Sequence, residues 1–84
     1  MLPIDEKTFK SELLRADTLR KLETDCLKSD YWAGYERGLR RAYHGVKFGT
    51  AQEHILWLDL VNSQDESRKQ RGAGYRDGLA RRKK

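Results

Sequence analysis

Ala33-Gly34-Tyr35-Glu36-Arg37-Gly38-Leu39 returns forty residues later as Ala73-Gly74-Tyr75-Arg76-Asp77-Gly78-Leu79, with five of seven positions identical. Two glycines four residues apart lie one above the other on a helix and leave a flat notch where another backbone can approach closely. In a membrane this spacing drives helix pairing, but here the flanking residues are charged, so its soluble counterpart is a close helix crossing. Each helix-interior glycine costs about 1 kcal/mol relative to alanine. Two to four of them take a large share of a small domain's stability, so tight packing must offset them. The two notches can pack on each other within one chain. Alternatively, one faces a second copy of the chain or another protein, and Tyr31, Trp32, Gly34, Tyr35, Gly38, Gly74, Tyr75 and Gly78 are then the candidate interface. Two copies are too few for a solenoid.

Outward from the first copy, Ser29 or Asp30 offers an N-cap for a helix over 31–44, which Gly45 can close in the left-handed conformation. Upstream, Phe9, Leu13, Ala16, Leu19, Leu22 and Cys26 recur at steps of three or four, predicting one amphipathic helix or two short ones from about Asp5 to Leu27. Asp5 and Glu6 suit its first turn, with Pro3 just ahead. Asp17-Thr18 can interrupt it by competing for backbone hydrogen bonds. Cys26 falls in the apolar register and reads as a buried thiol.

Downstream, Val46 and Phe48 in the connection are expected to plug the core's end. Thr50 with Glu53 has capping-box spacing and opens a third helix, whose Ile55, Leu56, Trp57, Leu58, Leu60 and Val61 cover most of its circumference. That predicts the most buried element. Ser63 with Glu66 repeats the capping-box spacing and starts a fourth helix near Gln64, which kinks at Gly72 or runs on to about Arg82. No stretch alternates as a strand does. The expectation is a single all-α domain over 1–84, a bundle of about four helices as a monomer or a dimer, with a frayed basic end at 81–84.

At 84 residues, with 37 % apolar and 37 % charged side chains and a single proline, the chain is too apolar for disorder and too charged for a large interior. One cysteine forms no internal disulfide. No apolar run reaches the roughly 18 residues of a membrane span, and the amino terminus lacks a signal-peptide pattern, so a cytoplasmic protein is expected.

The net charge of +5 is uneven: residues 1–30 carry six basic and seven acidic side chains, residues 31–84 twelve and six. On the second helix Tyr31, Trp32, Tyr35 and Tyr43 project to one side, with Arg37, Arg40, Arg41 and His44 opposite. Arginine contacts phosphate and aromatic rings stack on bases, so these arginines with Arg68, Lys69, Arg71, Arg81 and Arg82 form a candidate nucleic-acid surface. The opposed directions of rings and arginines weigh against it, and a core of rings with a solvated arginine face is the plainer alternative. A helix-turn-helix around Asn62-Ser63 fits loosely, against a glycine-interrupted recognition helix.

Residues for catalysis are missing. His44 and His54 have no Cys or carboxylate partners at metal-ligand spacing, and the glycines form neither a phosphate loop nor a dinucleotide fingerprint. No enzyme activity, metal, cofactor or small-molecule substrate is expected. The sequence favours a non-catalytic module that makes protein contacts, self-association included, with nucleic-acid binding as the alternative.

Overall fold

The computed structural model describes residues 5–45 and 49–80. Four helices, α1 (Glu6–Leu22), α2 (Cys26–His44), α3 (Ala51–Asp59) and α4 (Glu66–Ala80), are joined by short connections, with a 3₁₀ turn at Leu60–Asn62 between α3 and α4. No strand occurs among the described residues. The chain is all-α, as its patterning predicts. Val46 and Phe48, expected to plug the core, lie outside the described residues, as do Pro3 and the basic end from Arg81 to Lys84.

The Asp5 carboxylate caps α1 by accepting from the Thr8 amide at 2.7 Å. Asp17-Thr18 does not break the helix, because Asp17 is occupied by Arg20 at 2.7 Å and Lys21 at 3.0 Å and does not compete for backbone. The helix ends at Leu22, five residues short of the expected Leu27, where Glu23 turns extended. Asp25 then caps α2, accepting from the Leu27 amide at 2.8 Å. This displaces the expected caps Ser29 and Asp30 and moves the start of α2 from Tyr31 to Cys26. Cys26 thus falls in a first turn and is exposed, not a buried thiol. Gly45, at φ 70°, closes α2 as expected.

Thr50 caps α3, accepting from the Glu53 amide at 3.0 Å. Only half of the capping box forms, since the Glu53 carboxylate turns away to Arg37 at 2.8 Å. Asp65, not Ser63, caps α4, accepting from the Ser67 amide at 2.9 Å. The Ser63 hydroxyl instead accepts from the Asp65 amide at 3.1 Å. From there α4 runs unbroken through Gly72, Gly74 and Gly78.

The core is the α2–α4 crossing. A Cβ on Gly34 would fall on the Arg71 carbonyl, and one on Gly74 on the Tyr31 carbonyl; Gly38 faces the Tyr75 carbonyl and Gly78 that of Tyr35. Every contact recurs under the forty-residue offset, so the two segments cross about a local two-fold relation. Contacts ascend together along both helices, which makes them parallel. Backbones this close bring Cα–H groups against carbonyl oxygens, a weak attraction that adds to the dispersion gained. Each notch is filled by the other within one chain. Leu39 (0 % exposed) and Tyr75 (2 %) are the largest side chains sealed there.

The most buried element is therefore α2. It buries Gly34, Glu36, Gly38, Leu39 and Ala42, whereas α3, expected at the centre, buries none. Helix α1 lies antiparallel along α2, with Phe9 stacked on Tyr43 at 4.2 Å between ring centroids.

Candidate interaction surfaces

Three surfaces around this core present chemistry to solvent. The first is the outer side of α3. Its inner side holds the molecule through Trp57, which lies 5.5 Å from the Tyr75 ring, and through His54, whose Nδ1 is 2.6 Å from the Tyr75 hydroxyl oxygen. Burial, then the nearby Arg41, depresses the His54 pKa, which favours a neutral ring that can accept from that hydroxyl. With the inner side so used, Ile55 (63 % exposed), Leu56 (64 %) and Leu58 (38 %) face outward. Three large apolar side chains are thus displayed on a nine-residue helix.

The second surface is a groove of about 520 Å³ between α1 and α2. Leu13, Leu14 and Ala33 supply its apolar wall. Its polar side is organised by Arg20, whose Nε donates to the buried Glu36 at 2.6 Å and whose Nη2 donates to Asp17 at 2.7 Å. Glu36 is the buried charge among the described residues, and Arg20 is what makes its burial tolerable. Lys10 and Arg40 complete the lining.

The third is the aromatic cluster of the candidate interface. Trp32 meets Tyr31 and Tyr35 edge-to-face, each at 5.2 Å, and all three rings are half-buried. The Tyr31 hydroxyl donates to Asp77 at 2.6 Å. Burial first, then that hydrogen bond, holds its pKa well above the ordinary range, so it stays a donor. The remaining candidate interface residues, Gly34, Gly38, Gly74, Tyr75 and Gly78, are all buried in the internal crossing.

The arginine side of α2 is not a solvated face. Arg37, Arg40 and Arg41 are half-buried because α1 and α3 flank them. Arg37 pairs with Glu53 and its guanidinium lies 4.9 Å from the Trp57 ring centre. Arg71 is tied to Asp30 at 3.2 Å, where Asp30 also accepts from the Ser67 hydroxyl at 2.6 Å. Of the basic residues proposed to contact nucleic acid, Arg68 and Lys69 stand exposed on the first turns of α4, and Arg81 and Arg82 lie outside the described residues.

Sequence reasoning passed over Arg20 and the groove and read Asp30 only as an N-cap, because an ion pair between helices leaves no periodic trace. Glu36 carried a signal: a lone acid at the centre of a helix whose neighbouring turns are otherwise apolar or basic.

No described helix is long and apolar enough to cross a membrane, and among the described residues no cluster of three His, Cys, Asp or Glu side chains is placed to hold a metal ion. Comparison with known protein families, curated proteins and solved structures finds no match.

Proposed function

We propose that the chain is a non-catalytic helical module that acts through protein contact, by self-association at the outer face of α3. The observation that carries this is the exposure of Ile55, Leu56 and Leu58 together on one short helix. An isolated helix of nine residues is marginal in water, and a solvated apolar face on it wastes burial that a partner would recover. Covering what these side chains still expose is worth about 1 to 2 kcal/mol each, hence roughly 6 to 12 kcal/mol in a pair of chains. Association itself costs on the order of 4 to 15 kcal/mol. The α3 face alone supports a weak pair, and further contacts must add to it.

The neutralisation of Arg37 and Arg71 by acids of the same chain favours this over nucleic-acid binding. Light scattering across a concentration series should approach twice the chain mass. Leu56→Glu, at a position too exposed to affect folding, should return it to the monomer with unchanged helical circular dichroism. A parent chain that stays monomeric throughout rejects the proposal. Binding of a labelled duplex that collapses between about 50 and 200 mM salt would put the phosphate reading in its place.

A further inference from the structure

Resting on that self-association, we propose that the surface receiving α3 is the α1–α2 groove of a second copy, with Asp59 of one chain meeting Arg40 of the other. The exchange is reciprocal about a two-fold axis.

Within the groove, Arg20 takes both carboxylates, Glu36 and Asp17, and Lys10 reaches Glu6 at 3.5 Å. Arg40, half-buried, pairs with no carboxylate among the described residues, although it lines the same groove as Leu13, Leu14 and Ala33. An arginine with no carboxylate partner beside apolar side chains gains a charge-assisted hydrogen bond when an anion reaches it. The groove therefore asks for an apolar side chain and a carboxylate together.

Helix α3 offers that pair. It contains Glu53 and Asp59 and no Lys or Arg. Glu53 is engaged by Arg37, whereas exposed Asp59 accepts, among the described residues, only from the Asn62 side-chain Nδ2 at 3.1 Å. Ile55 and Asp59 are one turn apart and share a face, with Leu56 and Leu58 to either side. The groove's volume, about 520 Å³, lies within the range of sites that enclose apolar groups. Leu14, 67 % exposed on its rim, would be covered in the same step.

Direction comes from α2. At about 100° per residue, the groove residues Ala33, Glu36 and Arg40 lie roughly 90° around α2 from Arg37 and Arg41, which face α3. Groove and donor helix thus flank neighbouring sides of one molecule, and a two-fold axis can satisfy both at once. A reciprocal contact closes as a dimer and does not grow into a filament.

Charge reversal tests this. Arg40→Glu alone and Asp59→Arg alone should each weaken the dimer about tenfold or more, as close interfacial charge pairs do. The double variant Arg40→Glu/Asp59→Arg should recover it, and Leu14→Glu should weaken it. Arg40→Gln and Asp59→Asn serve if a reversal lowers helical content. If Arg40→Glu dimerises like the parent while Leu56→Glu is monomeric, the α3 face stands and the groove is not its receptor. Singles that weaken without recovery in the double also overturn the pairing. A monomeric parent overturns the self-association beneath it.

Discussion

Gly34 and Gly74 occupy equivalent places in the crossing, and no side chain fits at either because the added carbon would meet a backbone carbonyl that cannot swing aside. Gly34→Ala and Gly74→Ala should each destabilise the fold by about 1 to 3 kcal/mol through overpacking, despite the roughly 1 kcal/mol that alanine gains in helix propensity. Urea midpoints would show it, and equal or higher midpoints would remove the close crossing. Arg20 is the other decisive single residue. Replacing it with methionine strands the buried Glu36 carboxylate and should cost about 2 to 3 kcal/mol. In a Glu36→Leu background the same change should cost far less, and a double-mutant cycle reads the difference. At this scale the sequence was half legible. The glycine spacing announced a close approach and offered the packing of each notch on its own repeat as one of two readings, without deciding between that and a second molecule. Cys26 sits in helical register with Leu19 and Leu22, yet the break at Glu23 puts it on another helix.

Helix α3 is held to the rest by a few directional contacts and buries no residue completely, so its attachment should respond to proton concentration. His54, with its pKa depressed by burial and by Arg41, resists protonation in the fold but titrates near 6.5 when unfolded. Below that value the unfolded chain takes up the proton first. The stabilisation is complete above pH 6.5 and is lost as pH falls toward the folded pKa. Melting temperature should therefore decline from pH 8 to pH 5, and His54→Gln should flatten that slope. A slope unchanged by the substitution would assign the titration elsewhere. Element boundaries were legible where one residue type had no competitor, as at Gly45 and Thr50. They slipped where several caps stood in a row: Asp25 with Ser29 and Asp30, Ser63 with Asp65. The position of α3 was misjudged for a different reason. Apolar residues all round a helix ordinarily mean burial on all sides, and here one side is buried against Tyr75 while the other is left to solvent.

Parallel helices cannot be joined by a tight turn, so the α2–α4 crossing obliges the chain to travel back between them, and that return is α3 with its 3₁₀ turn. The turn rests on α4 at Gly72, where an added Cβ would come within 2.6 Å of the Val61 amide nitrogen and 2.7 Å of the Leu60 Cβ. One glycine thus serves the return path while Gly74 and Gly78 serve the crossing. Stability should be distributed accordingly. Helices α2 and α4 hold most of the buried residues, α1 contributes Phe9 and Ala16, and α3 contributes none. Regions with little buried surface open locally, without global unfolding. Hydrogen exchange at concentrations where the chain is monomeric should find the slowest amides in the middle turns of α2 and α4, around Leu39 and Tyr75, with α1 intermediate and α3 fastest. Raising the concentration should slow α3 and the groove side of α1 together if these surfaces cover one another, and leave the already protected crossing unchanged. Protection of α3 equal to that of α2 in the monomer would contradict a fold centred on the glycine crossing.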